Sequence, residues 1–215
     1  MISDKIGLMP EIIKETSENL SQVAEILSKG GVIVFPTDTA YGLGVNGSDA
    51  NAVEKIFTIK GRSQFAPISI AVSDIAMAKR YGEFSQGALT IAEKFLPGPL
   101  TLVVPARERL PNELLGGGTT IGFRIPNRAW LLNLIQICNF PITATSANAS
   151  GNGAHYTPND VEQSLGENWN MIDAVVDGDA LPHESVSTVV ECIGDAVRIL
   201  REGPISGEEI EKVLG

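Results

Sequence analysis

Apolar residues recur at helical spacing in several stretches of the chain. In the first, residues 11–30, Leu20, Val23 and Leu27 fall on one face, and Gly30 is suited to a C-terminal cap. The same pattern predicts helices over residues 49–59, 73–80, 85–96, 129–137 and 158–165, and a last one after Ser206.

Capping residues mark the starts of three of these helices. Ser48 is the predicted N-cap of the helix over residues 49–59, and Thr157 followed by proline opens the helix over residues 158–165. Ser206, with Glu209 three residues later, has the pattern of a capping box.

Short apolar stretches between the helices predict strands. They cover residues 32–35, 68–72, 100–104, 119–125, 142–145, 174–176, 187–192 and 196–200. Alternating strands and helices are typical of an α/β fold, and the crowding of strands in the second half favours a mixed sheet. We therefore predict a single α/β domain over residues 1–215, with a twisted mixed β-sheet flanked by helices.

Composition and charge exclude several classes of protein. Hydrophobic residues make up 43% of the 215, enough for a substantial core. A net charge of −10 disfavours wrapping nucleic acid, although a local basic patch is compatible with it. Cys138 and Cys192 show no zinc or disulfide spacing. Because the N-terminus lacks a signal-peptide pattern and no apolar run reaches the ~20 residues of a membrane helix, we expect a soluble, cytoplasmic protein with no membrane partner.

The first polar segment with candidate chemistry is residues 35–44, at the end of a predicted buried strand. Thr37, Asp38 and Thr39 there can form a ligand-binding rim or simply satisfy their own turn. Residues 42–47 match the letters of the dinucleotide fingerprint. The strand does not run directly into the first glycine, however, and the required acidic residue is missing, which disfavours a nicotinamide enzyme.

Two further segments offer groups for phosphate. Lys60 and Arg62 end a predicted helix, where the helix dipole alone favours cations. The glycine between them terminates the helix, and polyphosphate sites commonly use both lysine and arginine. Ser146 and Asn148 follow a strand and offer a hydroxyl and an amide to phosphate or metal-bound water, although alone they also fit an ordinary turn.

Arg124 and Arg201 lie near the ends of two predicted strands, as carboxylate or phosphate clamps or as solvent-facing residues. The histidines, His155 and His183, lie in loop-like segments, and neither cysteine has a recognisable activating partner. The predicted chemistry is therefore positioning and charge stabilisation, as in nucleotidyl transfer, rather than a nucleophilic triad.

Taken in order, these segments resemble the YrdC-like family of threonylcarbamoyl-AMP synthases. The matching pieces are Pro36-Thr-Asp-Thr-x-Tyr-Gly-Leu-Gly44, Lys60-x-Arg62, Thr120-x-x-x-Arg124, Ser146-Ala-Asn148, Ser187-Thr-Val-Val and Arg201. They span residues 36–201, so the resemblance covers nearly the whole chain. Each piece is weak alone, whereas all of them in this order specify the family.

The resemblance implies synthesis of L-threonylcarbamoyladenylate from L-threonine, bicarbonate and ATP, with pyrophosphate released. On physical grounds we expect Mg²⁺ to bridge the phosphates. A downstream threonylcarbamoyl-transfer complex then modifies tRNA, so that complex and a tRNA contact are implied partners. The implied threonine contacts are Thr39, Arg124, Ala144 and Ser187. The implied nucleotide contacts are Lys60, Arg62, Thr120, Ser146, Asn148 and Arg201, with Lys60 and Arg62 as the catalytic pair.

The chain differs from many members of that family at a few positions. Ala66 stands where they carry asparagine, Ala71 where they carry a histidine near the threonine pocket, and Ala154 where some carry serine. Two alternatives to the synthase stay open: a paralogue that binds RNA or acts as an accessory module, and carbamoyl-adenylate chemistry on another acceptor. Because the sequence ends at Gly215, we expect the short form without an added C-terminal domain.

Overall fold

In the computed structural model, which describes residues 9–183 and 186–215, the strands form two sheets. The strands are β1 (Glu11–Lys14), β2 (Ile33–Pro36), β3 (Tyr41–Gly44), β4 (Ile70–Ala71), β5 (Leu100–Pro105), β6 (Thr120–Arg124), β7 (Ile142–Thr143), β8 (Thr145–Ser146), β9 (Ala174–Asp177), β10 (Thr188–Ile193) and β11 (Ala196–Arg201). The helices are α1 (Leu20–Ser28), α2 (Ala50–Lys60), α3 (Ile75–Ala78), α4 (Gln86–Phe95), α5 (Asn112–Leu115), α6 (Ala129–Cys138), α7 (Pro158–Leu165) and α8 (Gly207–Leu214). The expected lack of a signal peptide concerns mainly residues 1–8, which lie outside the described residues.

Both sheets are mixed. The first has the order β1-β9-β2-β3-β8, in which β1, β9 and β2 are parallel and β3 and β8 are antiparallel to their neighbours. The second has the order β11-β10-β5-β6-β4-β7, with parallel pairs β10/β5 and β4/β6. Helices pack in pairs around the sheets, α1 on α6 and α4 on α8. The predicted α/β class with mixed sheet flanked by helices is confirmed, and the strands divide between two sheets. That the chain is a single domain stays a prediction. Within the described part of the chain, no helix has the length and apolarity to cross a membrane.

Three predicted segments differ from the structure for tertiary reasons. Residues 11–14 form a strand rather than the start of a helix, because they pair with β9 and bury Ile13. The predicted strand over residues 142–145 divides at Ala144, so that β7 joins the second sheet and β8 the first. Residues 41–44 form β3 rather than a loop.

Helix boundaries follow local capping chemistry. Asp49, and not the predicted Ser48, caps α2, since its carboxylate accepts from Asn51 N at 3.0 Å. At the other end, Gly61 adopts φ 58° and terminates α2, which turns the chain immediately before Arg62. The predicted cap of α7 and the capping box of α8 are both formed.

The glycines of β3 allow close packing on the ring of Phe35 in β2. A Cβ at Gly42 would lie 2.9 Å from Phe35 Cζ, and one at Gly44 would lie 2.5 Å from Phe35 Cε1. Two of the three glycines that match the dinucleotide fingerprint, Gly42 and Gly44, therefore serve a packing role between neighbouring strands.

Thr143 ties the two sheets together where β7 continues into β8. Its N–H donates to Val45 O at 3.0 Å, and its Oγ1 accepts from Val45 N at 3.1 Å and donates to Leu43 O at 3.2 Å. The next residue, Ala144, donates its N–H to Ser69 O at 2.7 Å. These bonds bring β3, β7 and the segment before β4 around Ala144, and a cavity opens there.

We expect Thr143→Val to lower the free energy of unfolding by about 1–3 kcal/mol, because it removes a fully buried hydroxyl that serves two backbone groups. Urea unfolding measures the change. Thr143→Ser keeps the hydroxyl and is the matched control, which should cost less. A Thr143→Val variant as stable as the wild type would contradict this role of the hydroxyl.

Candidate active site

A cavity of about 230 Å³ lies at the junction of the two sheets. Its walls come from the turn between β2 and β3, the loop after α2, the face of the second sheet and the start of β8. Its lining residues are Thr37, Thr39, Ala40, Tyr41, Gly42, Arg62, Pro67, Ile68, Ser69, Thr101, Arg124, Ala144, Thr145, Ser146, Ala154, Val186, Ser187, Val189 and Arg201.

Strand alternation explains the polar wall on the second sheet. In β5, Leu100 and Leu102 are fully buried in the core, while Thr101 between them lines the cavity. In β6, Phe123 packs in the core and Arg124 lines the cavity. One face of the sheet therefore supplies the core and the other supplies the candidate site.

Arg124 is a buried cation on this wall, with 9% of its surface exposed. Its Nη2 donates to Asp38 Oδ1 at 2.8 Å and its Nη1 donates to Thr39 Oγ1 at 3.0 Å. Within the described residues, Arg124 Nε and Asp38 Oδ2 are buried without a hydrogen-bond partner. Burial lowers the pKa of Arg124, Asp38 opposes that shift and Arg201 adds to it. The guanidinium stays charged and has donors left for an anion.

The turn that carries Asp38 divides its threonines between two roles. Thr37 Oγ1 donates to Ala40 O at 2.7 Å and accepts from Thr39 N at 3.1 Å, which is the turn-forming role expected of such residues. Thr39 Oγ1 instead accepts from Arg124. Thr37 therefore stabilises the turn, and Thr39 orients the arginine.

Arg201 and Ser187 form a second polar group on the cavity. Arg201 Nε and Nη2 donate to Ser187 O at 3.0 and 2.7 Å, and Nη2 also donates to Ser187 Oγ at 3.1 Å. Ser187 Oγ lies 2.9 Å from Thr101 Oγ1. Burial lowers the pKa of Arg201. Sequence reasoning missed Thr101, although it is the one polar residue within the apolar stretch 100–104.

Arg62 lines the side of the cavity next to α2. Its Nη2 donates to Pro67 O at 3.0 Å, and its Nε is buried without a partner in the described part of the chain. Burial lowers the pKa of Arg62. The described lining thus contains three arginines and no carboxylate, which makes the cavity suited to anionic ligands.

Lys60 lies behind the cavity wall and is almost completely buried. Its Nζ donates to Ser146 O, to Asn148 O at 2.9 Å and to Asn148 Oδ1 at 2.7 Å. Ser146 Oγ donates to the same Asn148 Oδ1 at 2.6 Å. Burial, reinforced by the charge of Arg62, lowers the pKa of Lys60 to about 7. Lys60 therefore supports the segment that places Ser146 at the cavity.

The structure brings most of the sequence-predicted site residues together. Those that line the cavity are Thr39, Arg62, Arg124, Ala144, Ser146, Ser187 and Arg201. Lys60 and Asn148 lie directly behind Ser146, and Thr120, at the start of β6, is outside the lining. The ligand-binding roles of all these residues stay predictions.

Of the three positions that differ from the resembled family, one lines the cavity. Ala71 is 1% exposed within β4, and neither it nor Ala66 lines the cavity. Ala154 does line it. Ser69, between Ala66 and Ala71, also lines the cavity and was missed by sequence reasoning because it lies in a stretch assigned only to a strand.

Comparisons with known proteins show the family to which this chain belongs. The model of the Sua5/YciO/YrdC family, described as "Telomere recombination", matches residues 25–203. A Pyrococcus abyssi protein named threonylcarbamoyl-AMP synthase is 36% identical over 193 residues, which are 89% of this chain and 56% of that protein. A Bacillus subtilis protein of the same name is 34% identical over 210 residues, which are 95% of this chain and 60% of that protein.

A solved structure shows the same fold. The crystal structure of P. abyssi Sua5 complexed with L-threonine superimposes with a TM-score of 0.88 at 33% identity, covering 97% of this chain and 61% of that one. The chain therefore spans somewhat less than two thirds of the length of these three relatives.

We expect Lys60 to make the free energy of unfolding rise with pH above about 7. Below that pH both states hold the proton. Above it the folded state releases the proton, while the unfolded state keeps it up to the ordinary pKa of 10.5, so the unfolded state binds more protons and stability increases by at most about 1.4 kcal/mol per pH unit.

The measurement is the difference in unfolding free energy between the wild type and Lys60→Met, from urea titrations between about pH 6 and pH 9. The wild type should gain on the variant as the pH rises. A difference that stays constant over this range would show that Lys60 keeps its proton in the folded state.

Proposed function

The chain belongs to the Sua5/YciO/YrdC family, and from that premise we propose that it is an L-threonylcarbamoyladenylate synthase. It would make the adenylate from L-threonine, bicarbonate and ATP, for threonylcarbamoyladenosine modification of tRNA. The observation that carries the proposal is the arginine-lined cavity between the two sheets, which gathers Arg62, Arg124 and Arg201. The names of the relatives and the L-threonine complex of Sua5 support L-threonine and ATP as substrates.

The amino acid fits the Arg124 side of the cavity. Arg124 is held by Asp38 and Thr39, and its remaining donors can bind a carboxylate in a fork. Ala144 and Ser187 line the same cavity and are the other proposed threonine contacts. Because the arginine is already oriented, little side-chain freedom is lost when the carboxylate binds.

The nucleotide fits the side formed by Arg62, Ser146 and Arg201. The two arginines supply positive charge for the phosphates, and the Ser146 hydroxyl supplies a hydrogen-bonding group. Lys60 and Asn148 stabilise this side from behind through the carbonyl of Ser146 and their mutual hydrogen bond. Lys60 thus contributes to the proposed site mainly by holding its wall.

The reaction needs two steps. The threonine amine forms a C–N bond with bicarbonate and water leaves, which gives the carbamate. A carbamate oxygen then bonds to the α-phosphorus of ATP while the bond from that phosphorus to the pyrophosphate oxygen breaks. Negative charge grows on the pyrophosphate, and Arg62 and Arg201 are placed to stabilise it.

The side chains of the protein are suited to positioning rather than to covalent catalysis. Burial raises the pKa of the Cys138 thiol to about 12 and that of Cys192 to about 11, so neither is a thiolate near neutral pH. Neither cysteine lines the cavity. The proposed rate enhancement therefore comes from orientation and charge stabilisation.

Mg²⁺ belongs to the ATP substrate in this proposal. Among the described residues, no group of three or more His, Cys, Asp or Glu is arranged to hold a metal ion. Mg²⁺ commonly uses phosphate oxygens and waters with few protein ligands, which is compatible with such a cavity. It would neutralise phosphate charge alongside the arginines.

The product is a reactive mixed anhydride, so we propose that a cytoplasmic threonylcarbamoyl-transfer complex receives it and modifies tRNA. With a net charge of −10, the chain is suited to a local contact with tRNA rather than to extensive binding. The same charge counts against the alternative of an RNA-binding module.

One incubation tests the proposal and separates the alternatives. The protein is mixed with ATP, Mg²⁺, radiolabelled bicarbonate and each amino acid in turn. A labelled adenylate with threonine, together with an equal amount of pyrophosphate, supports the synthase. Absence of adenylate with retention of tRNA on filters would favour an RNA-binding paralogue. A requirement for carbamoyl phosphate in place of bicarbonate would favour another acceptor.

We expect Arg62→Ala to lower threonine-dependent pyrophosphate release by at least about 100-fold, because the growing charge on the leaving group loses a cation. Arg109→Ala removes an exposed arginine outside the cavity and is the matched control, which should stay near the wild-type rate. Circular dichroism checks that both variants are folded. Near-normal turnover by Arg62→Ala would contradict the proposal that this residue stabilises the charge on the leaving pyrophosphate.

A further inference from the structure

We propose that Ser69 recognises the side-chain hydroxyl of the amino acid, with the methyl group of Thr101 beside it, so that the cavity selects a β-hydroxy amino acid. This inference rests on the proposed function and deepens it. It assigns side-chain selectivity to a residue that lies outside the matched motifs.

Ser69 presents a free hydroxyl to the cavity. Its backbone carbonyl accepts from Ala144 N at 2.7 Å, which fixes the residue at the junction of the two sheets. Ser69 lines the cavity, and its Oγ has no hydrogen-bond partner among the described residues. A serine hydroxyl both donates and accepts, so it is matched to another hydroxyl group.

Gly122 allows Ser69 to lie across β6 next to Thr101. A Cβ at position 122 would be 2.5 Å from Ser69 Oγ and 3.1 Å from Thr101 Cγ2, so both side chains surround the same point above the strand. With any larger residue at 122, Ser69 would have to move. The glycine therefore lets the Ser69 hydroxyl and the Thr101 methyl group lie side by side above β6. We call the surface formed by Ser69, Thr101 and Gly122 the floor of the cavity.

The hydrogen bonding of Thr101 decides which of its groups faces this point. Its Oγ1 is 2.9 Å from Ser187 Oγ, and these two hydroxyls are engaged with each other. The Cγ2 methyl is the atom near Gly122. Ser69 thus offers the free polar group of this floor, and Thr101 offers an apolar surface.

Arg124 extends from the same face of β6 as Gly122. Gly122 and Arg124 are two residues apart on the same face of β6, which is about 7 Å along the strand. An α-amino acid whose carboxylate is bound by Arg124 can direct its side chain along β6 to Ser69. Threonine carries both groups that the floor accommodates, a hydroxyl for Ser69 and a methyl for Thr101.

Bicarbonate is the other substrate that a free hydroxyl can bind. We favour the amino-acid side chain, because an anion would be expected beside the arginines rather than beside the methyl group of Thr101. The two occupants give different results: loss of a side-chain contact affects threonine alone, whereas loss of a bicarbonate contact raises the KM for bicarbonate with every amino acid.

The test compares L-threonine with L-valine, which has the same shape and a methyl group in place of the hydroxyl. Calorimetric titration of each amino acid into the protein without ATP measures affinity independently of the reaction. We expect Ser69→Ala to weaken threonine binding about five- to tenfold, as for one neutral hydrogen bond, and to leave valine binding unchanged. Ser63→Ala, in the exposed loop after α2, is the control and should change neither.

An unchanged ratio of threonine to valine affinity in Ser69→Ala, with thermal unfolding showing a folded variant, would overturn the inference. So would a rise in the KM for bicarbonate with unchanged threonine affinity, or a wild type that binds valine as well as threonine. A wild type that forms no adenylate, but whose preference for threonine is lost in Ser69→Ala, would instead contradict the proposed function and still support the selectivity of Ser69.

Discussion

The candidate site depends on the hydrogen bonds with which Thr143 fixes one sheet against the other. Its buried hydroxyl serves Val45 N and Leu43 O, and any sliding between β3 and β7 would leave these backbone groups unpaired in the core. The next peptide, Ala144 to Ser69, continues the same restraint into the cavity wall. The geometry of the cavity is therefore a consequence of satisfying backbone groups where one strand leaves a sheet and the next joins another.

Arg124 is a charged side chain that the fold buries, so it loses most of its hydration. The ion pair with Asp38 offsets part of the desolvation cost, and the side chains of both partners are only 10–11% exposed. The ion pair does not offset the whole desolvation cost, because Arg124 Nε has no acceptor among the described residues and Arg201 adds positive charge. An anionic ligand would supply both an acceptor and a negative charge. The free protein thus carries an electrostatic cost that a bound carboxylate relieves, which favours binding at this position.

Features that depend on neighbouring residues along the chain could be predicted from the sequence, whereas features that depend on tertiary contacts could not. The long helices and the polar residues after strands were predictable from periodicity and residue chemistry. β3 was missed because its glycines indicate a loop until the ring of Phe35 is placed against them. Lys60 was expected to line the site, but its three donors are taken by carbonyl and amide oxygens behind the wall. Ser69 and Thr101 were missed because strand pairing, which the sequence does not reveal, places both side chains beside Gly122 in the cavity.

The charge of the cavity is opposite to that of the chain, and the two have different consequences. Charges farther than about 8 Å across solvent are largely screened at physiological salt, so the net charge of −10 acts weakly on a ligand already in the cavity. Interactions within the cavity are screened less, and the three arginines there dominate. Outside, the negative surface opposes indiscriminate contact with RNA. The arginines of the cavity therefore favour small anions there, while the net negative charge of the chain disfavours polyanions at its surface.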